Sequence, residues 1–137
     1  TRKESSAASD VYKRQVLITH DLGVVADVAD DIVVMYAGKS MEIAPKDTIF
    51  NSPCHPYTHG LIRSIPQLDT KAERLYSIQG TVPDIRNFPP GCRFCTRCPF
   101  VLPVCKEKEP PFVKLNEKHF VRCHRAEEIA KGGLIDE

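Results

Sequence analysis

Several things are missing from this sequence, and each absence closes off a class of protein. No apolar run comes near the roughly 18 residues of a membrane-spanning helix, so direct membrane insertion is not expected. The N-terminal residues lack the apolar core of a secretory signal, which places the chain in the cytosol as an expectation. Neither sign of charge dominates: 19 basic residues stand against 18 acidic ones, a net charge of +1. That balance, without aromatic residues interleaved among basic ones, argues against nucleic acid as a partner. No Gly-x-x-x-x-Gly-Lys loop is present, so no segment can cradle phosphates with backbone N–H groups and a lysine. There is no internal repeat. A chain of 137 residues can form one modest domain with a real core, hardly two large ones.

What the sequence does hold is six cysteines, five of them between positions 92 and 123. In a secreted protein such crowding means disulfides, whereas in a reducing cytosol it favours a metal or a cluster. Cys92, Cys95, Cys98, Cys105 and Cys123 offer soft thiolate ligands. Four thiolates complete either a tetrahedral zinc site or a four-iron cluster. The run Cys92-x-x-Cys95-x-x-Cys98-Pro99 is similar to the ligand run of bacterial ferredoxins, although Cys105 stands further off than that pattern requires. His119 and His124 flank Cys123 and are lesser candidates for a zinc site. Arg93, Arg97 and Arg122 either offset the charge of the thiolates or form a solvated basic rim. Residues 92–124 have little apolar content and need a staple of this kind to fold. Cys54 stands apart in sequence and reads as a plain thiol.

Upstream the pattern changes. Residues 1–15 are polar and carry no periodic apolar face; Ser6–Gln15 resembles a translated sequencing-adaptor remnant, so this leader reads as foreign or disordered. Residues 16–65 read as α/β: a strand at Val16–Thr19, a helix from Leu22 to Ala29, a strand at Ile32–Tyr36, a turn at Ala37-Gly38 and a hairpin partner at Ser40–Ala44. A short helix follows from Pro45 to Phe50, and Pro56-Tyr57-Thr58 opens another that Pro66 ends. His55 is expected to lead into or cap that helix, with a metal or catalytic role for His55 and His59 as the lesser alternative. Residues 66–91 read as a linker, punctuated by Pro66, Gly80, Pro83, Pro89, Pro90 and Gly91. Residues 92–124 form the cysteine-rich part and 125–137 a tail.

The junction Thr19-His20-Asp21 sits at the carboxyl end of the first expected strand, the edge where open α/β sheets bind ligands. Thr19 and Asp21 are expected to shape the turn and cap the next helix. The string VLITHDLGVVADVADDIVVMYAGK resembles the switch-histidine region of an ABC-transporter ATPase. The segment MYAGKSMEIAPKDTIFNSPCHPYTHGLIRSIP, with His55-Pro56-Tyr57-Thr58 inside it, looks like the end of the ATPase domain in oligopeptide and dipeptide importers. Gly80–Asp84 (GTVPD) and Pro89–Phe94 (PPGCRF) are similar to the C-terminal extension of that subgroup.

The resemblance implies a fold and a function. The fold is α/β, the C-terminal part of a P-loop ABC ATPase domain followed by an irregular cysteine-stapled extension. The parent is an ABC-type ATPase that uses ATP with Mg to energise import of short peptides or related solutes such as nickel. Its implied partners are a second ATPase subunit and membrane-spanning permease subunits, through which it sits on the inner face of the plasma membrane. His20 is implied to reach the ATP γ-phosphate. The phosphate loop, signature motif and Asp-Glu pair are not in this sequence, so the chain alone is expected neither to bind ATP tightly nor to hydrolyse it. The resemblance also selects Cys92, Cys98, Cys105 and Cys123 as ligands of an iron–sulfur cluster of the 4Fe–4S kind, with zinc as the alternative. Cys95 is the departure: a spare thiol, an exchange ligand, or a replacement for one of the four. The competing reading is an autonomous zinc- or iron–sulfur-stapled interaction module without ATPase activity.

Overall fold

The computed structural model describes residues 14–66 and 76–134. Helix α1 (Leu22–Val28) starts where it does because Asp21 caps it. The Asp21 carboxylate accepts the N–H groups of Gly23 at 3.0 Å and Val24 at 3.2 Å, and Thr19 Oγ1 accepts the Asp21 N–H at 3.0 Å. Both residues therefore act as expected. None of the α1 side chains is buried.

Val16–Thr19 is not a strand. Val16 is 91% exposed and Ile18 93%, and neither belongs to a sheet. Strand propensity expresses packing and pairing with neighbours, and among the described residues nothing pairs with this segment.

Strands β1 (Asp31–Tyr36) and β2 (Lys39–Pro45) form an antiparallel hairpin, as expected, with a bulge between Val34 and Met35. Their two-residue turn has Ala37 at φ 49° and Gly38 at φ 79°. Two left-handed residues match the twist of the flanking strands, and glycine takes that conformation without cost. Ala37 does not, and the Arg93 guanidinium donating to its carbonyl helps hold it there. Helices α2 (Lys46–Asn51) and α3 (Pro56–Arg63) follow. The part of the expected linker from 76 to 91 contains neither helix nor strand, and residues 67–75 lie outside the described residues, as does most of the leader.

The cysteine-rich part departs from expectation. It is not irregular: it holds α4 (Pro103–Glu107), β3 (Phe112–Asn116), β4 (His119–Arg122) and, just beyond it, α5 (Ala126–Ala130). Strand β4 pairs with β2 through Glu42↔Val121 and Ile43↔Phe120, giving one antiparallel sheet in the order β1-β2-β4-β3. The open edge of β2 supplies backbone partners that so short a hairpin lacks by itself. The sheet thus draws strands from both sides of the expected linker.

Central β2 is covered on both faces, so adjacent Met41 and Glu42 are both buried. Met41 packs with Tyr36, Phe94, Cys92, Cys95 and Cys105. Val121 packs with Cys54, Ala126 and Ile129, while Val34, Ala44 and Ile49 make a third cluster. Phe94, 1% exposed, is the hub: its ring lies 5.2 Å from Tyr36, 5.4 Å from Tyr57 and 5.8 Å from His55. Among the described residues no helix is long and apolar enough to cross a membrane.

Candidate functional site

The cysteines are gathered by backbone closure. The Cys92 N–H donates to the Cys105 carbonyl at 2.7 Å, and tight turns carry the Cys95 N–H to the Cys92 carbonyl and the Arg97 N–H to the Phe94 carbonyl. Gly91 permits this approach, because a Cβ there would stand 2.1 Å from the Cys105 carbonyl oxygen. Pro103 opens α4 and sets Cys105 one turn in. Strand β4 ends at Arg122 and delivers Cys123 immediately after it. Cys92, Cys95, Cys98, Cys105 and Cys123 then line one cavity of about 20 Å³, together with Phe94 and Phe100.

Backbone N–H groups approach two of the sulfurs: that of Arg125 lies 3.4 Å from Cys123 Sγ and that of Leu102 3.5 Å from Cys105 Sγ. Cys95 lines the same cavity and is buried in one cluster with Cys92 and Cys105. Burial is the largest influence on Cys92, Cys95, Cys98 and Cys123 and pushes Cys92 up to about 11 and Cys98 up to about 12, so a metal would have to displace their protons. Backbone hydrogen bonding at Cys92, Cys98 and Cys123 acts in the opposite direction and favours thiolate.

The arginines sort differently from the expectation. Arg93 is engaged with the Ala37 carbonyl and the Phe88 ring, Arg97 with the Ile78 and Gln79 carbonyls, and Arg122 with the Ser40 carbonyl and Glu109. Arg125, which the sequence pattern does not single out, lies beside Cys123 and Cys98. His124 lines the cavity and meets the Lys108 carbonyl at 2.9 Å.

His119 points elsewhere. Its Nε2 lies 2.6 Å from Glu42 Oε1, both side chains being buried. Glu42 also accepts the Cys54 N–H at 2.8 Å and the His55 N–H at 3.1 Å. One carboxylate thus joins β2, the turn before α3, and β4. Sequence pattern misses it because an acidic residue in a strand reads as solvent-facing, and only the pairing of β2 on both edges buries it. Cys54 is not isolated in space either: it packs against Cys123, and burial pushes its thiol up to about 11.

His55 caps α3, its Nδ1 accepting the Tyr57 N–H at 3.0 Å, with Pro56 in the first turn. Burial pushes its imidazole down to about 4, which leaves the ring neutral and able to accept at Nδ1. His20 is exposed at the bend before Asp21, and among the described residues no hydrogen bond or ion pair involves it. The structure does not bring His20 and the cysteine group into contact.

Residues 41–105 match the family described as "Oligopeptide/dipeptide transporter, C-terminal region". A peptide import ATP-binding protein of Brucella ovis is 45% identical over 121 residues, 84% of this chain and 36% of its own. A dipeptide transport ATP-binding protein of Bacillus subtilis is 44% identical over 133 residues, 97% of this chain and 39% of its own. An oligopeptide transport ATP-binding protein of Bacillus subtilis is 46% identical over 113 residues, 82% and 34%. The chain spans little more than a third of the length of these curated relatives. It belongs to the family of peptide-import ATP-binding proteins and carries that family's C-terminal region.

Proposed function

We propose that the chain serves as the C-terminal part of the ATP-binding subunit of a peptide importer, with His20 as a phosphate-sensing donor and the cysteine group as the seat of a 4Fe–4S cluster. The partners are a second ATP-binding subunit and membrane-spanning permease subunits, which hold the protein at the cytoplasmic face. ATP handling needs a phosphate loop that this sequence does not contain. His20, exposed at its bend, suits a role in which the rest of a phosphate site is supplied around it: an imidazole N–H there donates to phosphate oxygen and helps orient the attacking water.

The observation that carries the cluster is the convergence of Cys92, Cys98, Cys105 and Cys123 on one cavity, with the Leu102 and Arg125 N–H groups directed at two of the sulfurs. Such donors stabilise thiolates that bind a cluster. When bound, the cluster supplies a four-point covalent pin between the 92–98 turns, α4 and β4. Zinc is the second reading, favoured by the small cavity volume of about 20 Å³, room for one ion or water.

Anaerobic purification with iron, sulfide and zinc analysis separates the two. Four irons with matching labile sulfide and broad visible absorption are expected, lost in Cys98→Ser and Cys105→Ser and kept in Cys95→Ser. One zinc per chain without visible absorption would replace the cluster by the zinc site. In the full-length subunit assembled with its permease, His20→Ala is expected to slow ATP turnover by about a hundredfold or more. Unchanged turnover would remove His20 from the mechanism and favour the autonomous-module reading.

A further inference from the structure

Glu42 on β2, Cys54 in the turn before α3 and His119 on β4 are not among the residues lining the cysteine cavity, and all three are buried. One ligand atom from each, a carboxylate oxygen, a thiol sulfur and an imidazole nitrogen, falls within 4.8 Å of the other two. From this convergence we infer a second, mononuclear metal site that takes a divalent zinc-like cation on Glu42, Cys54 and His119.

The donor set matches that chemistry. Zinc accepts sulfur, nitrogen and oxygen together, and three protein ligands leave a fourth position for water. Charge favours it as well. The Glu42 side chain is fully buried, and its ion-pair partner is His119, a group that is charged only when protonated. A dication held by one carboxylate, one thiolate and a neutral imidazole carries no net charge, which suits a buried site. The carboxylate is already oriented. The Cys54 and His55 N–H groups bind its two oxygens at 2.8 Å and 3.1 Å, and an ionised carboxylate has about four lone-pair positions, so room for a metal bond remains.

Cys54 Sγ has only a weak contact of its own, to the Ser52 carbonyl at 3.5 Å. The sulfur can therefore turn toward the ion without losing a strong bond. His119 Nε2 and Glu42 Oε1 stand 2.6 Å apart, so one proton lies in the hydrogen bond between them. Metal binding replaces that proton: the Nε2 hydrogen moves to Nδ1 or to solvent, the Cys54 thiol proton leaves to solvent, and two bonds to the cation form where one hydrogen bond stood. The ion would fasten the turn before α3 to β2 and β4.

The test is a titration of the whole chain with cobalt(II), read by the visible bands of four-coordinate cobalt and by metal per chain. Comparison with variants makes it independent of what the cysteine cavity holds. Wild type and Cys95→Ser are expected to take one equivalent more than Cys54→Ser and His119→Gln. Each of these two substitutions should weaken that equivalent at least about a hundredfold. Circular dichroism checks that each variant keeps its fold, and either one alone suffices if the other fails to fold. Wild type taking no more cobalt than the folded variants would overturn the site. So would an extra equivalent that both folded variants retain.

Discussion

Around His20 the large apolar side chains face water: Val16, Ile18 and Val28 are more than half exposed, and the helix that follows buries none of its residues. Around Cys98 the opposite holds, with Phe94, Met41 and Val121 at 1% exposure or less and sulfur, ring and backbone in close contact. The first region is organised by neighbours in sequence, through the Thr19 and Asp21 side chains. The second is organised by residues up to 82 positions apart, as in the Glu42–His119 contact (separation 77) and the Arg122 bond to the Ser40 carbonyl (separation 82). A motif can thus be complete in sequence and still stand alone in space. A site can also be scattered in sequence and be assembled by the sheet.

The largest expected effect breaks the packed region. Gly91→Ala places a methyl group 2.1 Å from the Cys105 carbonyl oxygen, a backbone atom with no flexible side chain to yield. The bond from the Cys92 N–H to that carbonyl must then open, and the cost is expected to reach at least about 3 kcal/mol. Denaturant unfolding should show the loss together with reduced metal uptake. A fully stable, metal-loaded Gly91→Ala protein would mean that the turn before Cys92 does not close the site.

A smaller effect belongs to the open region. Asp21→Ala removes two capping bonds of α1 and should cost about 1 kcal/mol, felt locally. Hydrogen exchange should quicken in Leu22–Val28 while residues 91–130 keep their protection. Equal loss of protection in both regions would show that the two are one cooperative unit, and the contrast drawn between them would fall.

These two substitutions also mark what the sequence made legible. The Asp21 cap, the Ala37-Gly38 turn and the Pro56 helix start are local devices, each fixed by a few adjacent residues, and each is found where its chemistry predicts. The cysteine group was legible from spacing, since thiols so close together have few other uses. The strand expected at Val16–Thr19 fails because propensity needs a paired neighbour. The hairpin of β3 and β4 goes unseen because its alternation spans only a few residues on each strand. Its stability comes from the edge of β2, which lies far away in sequence. Glu42 is hidden for the same reason: nothing in Ser40–Ala44 announces that both faces will be covered. The arginines teach the same lesson: adjacency to a ligand pointed to Arg93, Arg97 and Arg122, while the fold sends those three to backbone carbonyls.

The smallest effect lies at the margin of the packed region, in helix α3. Partial burial, and then the Arg63 guanidinium, hold the His59 imidazole below its ordinary range. Because the folded value is lowered, the unfolded chain takes up the proton first as pH falls. This contribution to stability is whole above about pH 6.5, the ordinary imidazole value, and is lost as pH drops through the folded value. His59→Gln carries no such proton. The difference in Tm between wild type and His59→Gln should therefore shift in favour of the variant as pH falls below about 6.5. Burial outranks Arg63 as the cause, so Arg63→Gln should remove only the lesser part of the shift. A wild-type-to-variant difference that is constant with pH would show that His59 is as free to protonate as an exposed imidazole. The face of α3 that carries it would then belong with the open region around His20 rather than with the packed one.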